Sequence, residues 1–116
     1  MITKGIRGAI TVDDNTPESI ASSTIKLLKE MTERNNIEQD SISHVIFTLT
    51  NDLNADFPAK YARINLKWHD VAMMCFHELD VPGSLPRCLR ILIVVNCGES
   101  FVPEFVYLGG AERLRK

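Results

Sequence analysis

The sequence predicts an α+β fold, a mixed β-sheet with helices packed on one face. Two observations carry that prediction, and a third point follows from it. The candidate elements run β-α-β-α-β-β-β, with both helices between early strands and none between late ones. The run Cys88-Leu89-Arg90-Ile91-Leu92-Ile93-Val94-Val95 has the length and β-branched content of a buried central strand. Helices on one face leave the other face open, so in so small a domain it calls for burial by another subunit.

The elements follow in order. Ile2 to Val12 reads as a first strand. Thr16-Pro17-Glu18 opens a helix: Thr16 caps it, Pro17 suits the first helical position, and Glu18 complements the positive end of the dipole. Ile20, Thr24, Leu27, Leu28 and Met31 share one face, and Asn35-Asn36 is a stop. His44 to Thr50 reads as a second strand, followed by a polar loop from Asn51 to Asp56. Asp56 is placed to cap a second helix, with Phe57, Tyr61, Ile64 and Trp68 at helical spacing. Val71 to Cys75 is a short third strand, and Val81-Pro82-Gly83-Ser84 a turn. Cys88 to Asn96 is the long central strand, and Phe105 to Leu108 a last one.

The bulk numbers exclude several classes. A chain of 116 residues fits a single domain spanning 1–116 and is too short for two. Its 45% hydrophobic and 24% charged residues are ordinary for a soluble globular protein. A net charge of -2, with no long run of one sign, argues against a nucleic-acid partner. The short basic tail Arg113-Leu114-Arg115-Lys116 reads first as a solvated end and second as a partner contact. No segment has the length of a membrane span, and Met1-Ile2-Thr3-Lys4-Gly5 lacks the apolar core of a secretory signal. Cys75, Cys88 and Cys97 form no CxxC and cannot all pair, so reduced thiols and a cytoplasmic location are expected.

Arg90 is the residue that calls for an explanation. A charge inside the most apolar run is costly unless it is met by partners or by a ligand, and arginine does not escape by losing its proton. Alternation puts it on the face of Cys88, Leu92 and Val94. Arg7, in Gly5-Ile6-Arg7-Gly8-Ala9, has Gly5 and Ala9 beside it, leaving room around the guanidinium. Two such arginines suit a ligand with two carboxylates, because each planar fork binds carboxylate bidentately. Glu78 is either a structural ion-pair partner of Arg90 or a group that meets positive charge in a ligand. Tyr107 is either a core aromatic or a neutral donor to a carboxylate. Lys60 and Arg63 share a helix face. Cys75 as a nucleophile needs a base, and His77 has the opposite parity. Three scattered histidines and no HExxH argue against a metal, and Gly109-Gly110 is not a phosphate loop.

Taken together, these residues form a pattern that resembles the trimeric, mixed α/β class of chorismate mutases, the AroH class. The resemblance runs through Gly5-Ile6-Arg7-Gly8-Ala9 and Phe57-Pro58-Ala59-Lys60 with Arg63. It continues through Cys75-x-x-Glu78-x-Asp80-Val81, Cys88-x-Arg90 and Val106-Tyr107-Leu108. It differs in a shorter loop from Asn96 to Pro103 and in Gly109-Gly110, which stands where relatives have bulkier residues. The resemblance implies a ferredoxin-like, chorismate mutase-like subunit in a pseudo α/β-barrel homotrimer, with sites at subunit interfaces. It implies conversion of chorismate to prephenate, a step of aromatic amino-acid biosynthesis, without a cofactor. It implies Arg90 and Glu78 as catalytic residues. Arg7, Met74, Cys75 and Tyr107 would line the substrate site from the same subunit, and Phe57, Ala59, Lys60 and Arg63 from the neighbour. Leu114 would belong to a closing tail. The alternative is a non-catalytic trimeric module that binds a small dicarboxylate.

Overall fold

The structure is a computed structural model that describes residues 1–115; the basic tail's Lys116 lies outside the described residues. Five strands form one mixed sheet: β1 (Ile2–Thr11), β2 (Ile42–Leu49), β3 (Ala72–His77), β4 (Cys88–Cys97) and β5 (Val106–Leu108). The order across the sheet is β3-β2-β4-β1-β5. The central β4 runs antiparallel to both β1 and β2, and each of these carries a parallel outer strand, β5 on β1 and β3 on β2. The predicted element order, mixed sheet and one-sided helix layer are all present. None of the described helices is long and apolar enough to cross a membrane.

Helix α1 (Pro17–Arg34) begins as its sequence predicts. The Thr16 hydroxyl accepts from the Ser19 amide at 3.1 Å, and Pro17 occupies the first turn, where its missing N–H leaves no bond unmade. The buried residues of α1 are Ile20, Thr24, Leu27, Leu28 and Met31. They lie on Ile6 and Ile10 of β1, Val45 and Phe47 of β2, and the odd-numbered apolar residues of β4. Gly8 makes this approach possible, because a Cβ there would stand 2.4 Å from Met31 Sδ. Asn35 closes the helix and clamps the chain before β5: its amide donates to the Met31 and Glu104 carbonyls, and its oxygen accepts from the Glu104 amide at 2.7 Å.

Helix α2 (Pro58–Asn65) departs from expectation. Its buried face is Pro58, Ala59 and Ala62, while Phe57 and Ile64 are 70% and 55% exposed. The helical spacing of Phe57, Tyr61, Ile64 and Trp68 therefore does not mark the core side. Small residues face inward because α2 packs close to both α1 and β3. Trp68 is buried only after the chain leaves the helix, turning through Lys67 at φ 62°. Asp56 does not cap the helix by its side chain in the usual way. Its oxygens take the adjacent Phe57 amide, the Tyr61 hydroxyl at 2.7 Å and Lys60 Nζ at 3.2 Å. The Tyr61 bond, then the Phe57 amide and Lys60, hold the Asp56 carboxyl below its usual range, and the same bond pushes Tyr61 up to about 12.

A 3₁₀ helix, Gly109–Arg115, follows β5 and had no counterpart among the predicted elements. It crosses the end of β1 on the face away from α1. Gly109 takes φ 58°, and the Gly110 amide donates to Thr11 Oγ1 at 2.9 Å. A Cβ at either glycine would come within 3 Å of the Thr11 side chain, so the pair Gly109-Gly110 is what lets this segment sit down.

Candidate active site

Burial along the strands separates two faces. In β4, Leu89, Ile91, Ile93 and Val95 are buried beneath the helices, whereas Arg90, Leu92 and Val94 are only half-buried on the opposite face. Among the described residues, no helix of eight residues or more covers that opposite face; the Gly109–Arg115 segment covers one end of it.

The pairing register lines up two rows of side chains across this open face. One row runs Phe76 of β3, Thr48 of β2, Arg90 of β4, Ala9 of β1 and Tyr107 of β5. The next runs Met74, Ile46, Leu92 and Arg7. Arg90 and Arg7 are thus diagonal neighbours on adjacent strands, with Cα atoms about 7–8 Å apart in such geometry. That spacing lets two guanidinium groups address one small ligand. The expected room around Arg7 is partly taken, since Leu92 Cδ1 lies 3.2 Å from where a Gly5 Cβ would be. Arg7 is exposed and lies over the Phe105 ring, 5.9 Å from its centroid.

Glu78 enters from the chain just beyond β3. Its amide donates to the Leu49 carbonyl at 2.8 Å, extending the β2–β3 ladder by one bond. Its Oε2 accepts from the Thr48 hydroxyl at 2.9 Å and lies 3.4 Å from Arg90 Nε. The two side chains are about one-third exposed, 33% for Arg90 and 30% for Glu78. Arg90 Nε itself is buried and makes no hydrogen bond. The contact is therefore an attraction between charges without a formed hydrogen bond. A relaxed arginine–carboxylate pair closes to about 2.7–2.9 Å, often through two parallel bonds. An ion pair with Glu78 thus exists, as the structural reading of Arg90 required, but it leaves the buried Nε without a hydrogen bond.

The start of β4 is held firmly. The Asp52 carboxylate accepts from the Arg87 amide, where the chain takes φ 45°, and Thr50 Oγ1 accepts from the Cys88 amide at 3.0 Å. Burial pushes the Asp52 carboxyl up, but the donors from Thr50 and Arg87 outweigh it and leave it below the usual range. Arg90 thus stands two residues from an anchored strand end.

Tyr107 and Leu114 pack on a small cluster of Ala9, Cys88 and Ala111. Leu114, expected in a closing tail, thus shares its packing cluster with Tyr107 of the same chain. Arg7, Ala9, Thr48, Glu78, Arg90 and Tyr107 all line one open depression of about 280 Å³. Met74 is on the same face at the β3 edge and is 61% exposed.

The remaining sequence-predicted residues are elsewhere. Cys75 pairs in register with the buried Phe47, so its side chain faces the helices and not Glu78. Burial raises its thiol, and the Ala59 backbone and Arg63 pull it back only in part. Phe57, Ala59, Lys60 and Arg63 belong to α2 or its entry, on the helix side. Phe57 lines a second hollow, of about 380 Å³, with Cys75 and His77. Thr48 was not among the predicted site residues. Its signal was available: it is a polar residue on the same parity as Ile46, on the face opposite Val45, Phe47 and Leu49.

Comparison with known proteins identifies the family and the fold. Residues 3–116 match the family described as chorismate mutase type I. The chorismate mutase AroH of Thermus thermophilus is 44% identical over 119 aligned residues, covering 98% of this chain and 94% of that protein. The chorismate mutase AroH of Bacillus subtilis strain 168 is 38% identical over 96 aligned residues, covering 83% of this chain and 76% of that protein. A solved structure of a chorismate mutase from Clostridium thermocellum superposes with a TM-score of 0.90 at 50% identity, covering 95% of this chain and 98% of that one. A match along nearly the whole chain, with the same fold, places this protein in the type I chorismate mutase family.

Proposed function

We propose that this chain converts chorismate to prephenate at the Arg90 cluster, within aromatic amino-acid biosynthesis, and that a neighbouring subunit completes each site. The observation that carries the reading is Arg90 itself. Its buried Nε is drawn to Glu78 at 3.4 Å yet bonded to nothing, on an open sheet face, in a member of a mutase family.

The rearrangement is intramolecular, so it needs no nucleophile and no base. The protein's tasks are to select the reactive conformer and to favour the transition state. Cleavage of the C–O bond runs ahead of C–C bond formation, so negative charge grows on the ether oxygen. Arg90 donates to that oxygen. Its strand holds it in place before the reaction, so little reorganisation is needed as the charge develops. Glu78 faces the ring, where positive charge develops, and binds the ring hydroxyl. Arg7 and Tyr107 hold a carboxylate. No covalent intermediate forms, and Cys75 takes no part as a nucleophile.

The proposal extends to assembly as a homotrimer of single-domain chains in the cytoplasm. Phe57, Met74, Phe76, Leu79 and Val81 are large apolar residues exposed at the β3 edge and around α2. An apolar edge of this kind favours burial against another copy. Packing a neighbour's α2 against the open face would bring its Phe57, Lys60 and Arg63 toward Arg90, with Ala59 behind them on the helix's buried face and Arg63 adding positive potential at the mouth.

Mixed oligomers test both parts at once. Arg90→Ala and Arg63→Ala subunits are each expected to be nearly inactive alone. Co-refolded, they regenerate some sites with both arginines intact and recover turnover of chorismate to prephenate. Absence of turnover by the wild-type protein would refute the reaction. Turnover without recovery in the mixture would refute the shared site.

A further inference from the structure

Thr48 touches the catalytic pair and is given no part in the chemistry above. We propose that Thr48 is a positioning residue: its hydroxyl holds the Glu78 carboxylate beside the Arg90 guanidinium but short of it, so that both charges remain open to the ligand. The inference rests on the mutase reading of this site.

Backbone geometry fixes all three residues. Thr48 is the cross-strand partner of Arg90, so the two side chains rise side by side from the open face. Glu78 is tied to the end of β2 through its amide bond to the Leu49 carbonyl. Its carboxylate then has two claimants on one oxygen. Thr48 Oγ1 donates to Oε2 at 2.9 Å, whereas Arg90 Nε stays at 3.4 Å with no hydrogen bond formed. Oε1 is turned away toward the Leu79 amide, at 3.3 Å. A carboxylate free to choose would take the guanidinium in a two-bond fork, the stronger arrangement. The threonine donor and the Leu79 amide hold it in the other orientation.

The consequence is specific. Without the hydroxyl, Glu78 is free to rotate onto Arg90, and the two charges satisfy each other. Substrate must then break that pair before it gains the arginine. The penalty falls on binding more than on the bound complex, and so on KM more than on kcat.

The test compares Thr48→Val with Thr48→Ser, in the wild-type and Glu78→Ala backgrounds. Thr48→Val is expected to lower kcat/KM about tenfold, mostly through KM, as befits loss of a hydrogen bond to a charged group. Thr48→Ser restores the donor and recovers most of that loss. In the Glu78→Ala background the valine substitution has little further effect, because no carboxylate is left to position. Thermal unfolding shows whether the valine variant is folded; if it is not, Thr48→Ala is read through the same cycle. The inference is overturned if the valine variant matches wild type, if serine falls as far as valine, or if the loss persists without Glu78. A wild-type protein that does not turn over chorismate overturns the mutase reading and this inference with it, whereas an active wild type matched by the valine variant overturns this inference alone.

Discussion

Replacing Arg90 by lysine keeps the charge and removes the fork. In the native site, Nε lies 3.4 Å from Glu78 Oε2 with no hydrogen bond formed, and Arg90 lines the same depression as Arg7 and Tyr107. A lysine ammonium in this position is a flexible point charge next to a carboxylate that already leans toward it. It would settle on Glu78, leaving no fixed donor where the ether oxygen gains charge. Losing one such donor costs roughly 3 kcal/mol, which at about 1.4 kcal/mol per decade is about a hundredfold in kcat. The loss should appear in kcat and kcat/KM together, since the lost interaction belongs to the transition state. Stability should change far less, because Arg90 is one-third exposed and its pair with Glu78 is unformed as a hydrogen bond. The assay follows loss of chorismate and appearance of prephenate, alongside a urea melt. Turnover within a few-fold of wild type, in a folded variant, would refute the role given to Arg90.

Other consequences follow from the same geometry. Cys75→Ser should keep kcat/KM within about threefold of wild type, because the thiol faces the helices and its burial keeps it protonated; complete loss in a steady-state assay would reopen covalent catalysis. Gly8→Ala should destabilise the fold by about 1–3 kcal/mol in urea, since its Cβ meets Met31 Sδ at 2.4 Å, and a smaller residue at position 31 should relieve part of this. The Asp52 carboxyl is held below the ordinary aspartate value of 3.8, so the stability it supplies is fully present above that value and is lost as the pH falls through the lowered one. Asp52→Asn should therefore flatten the acid limb of the stability curve below about pH 4, and an unchanged acid limb would contradict the assignment.

Much of this was legible in the linear chain. The Thr16-Pro17 helix start and the five buried positions of α1 followed from capping chemistry and the helical period. The parity of β4 placed Arg90 opposite the core, because a strand alternates without exception unless it bulges. The second helix is legible as a helix, but an apolar period identifies a face and not the side on which that face packs. In α2 the alanine face is the inner one, and the large apolar side chains are left outside, where a neighbouring subunit could take them. The resemblance implies Cys75 as a site residue, yet its register against Phe47 turns its side chain toward the helices, while Glu78, three residues on, reaches the open face.

What the sequence determined by itself was therefore local: element order, the covered face of α1 and β4, and which charged and polar residues stand on the other face. The tertiary structure decided which of those residues meet. The register of β4 against β1 and β2 sets Arg90 between Ala9 and Thr48, and the chain beyond β3 brings Glu78 to the same point from twelve residues away in sequence. Hydrogen-bond pairing between distant strands is a long-range choice, fixed by burial of the whole sheet face and not by any one segment. That choice leaves Arg90 Nε near its counter-charge with no hydrogen bond formed.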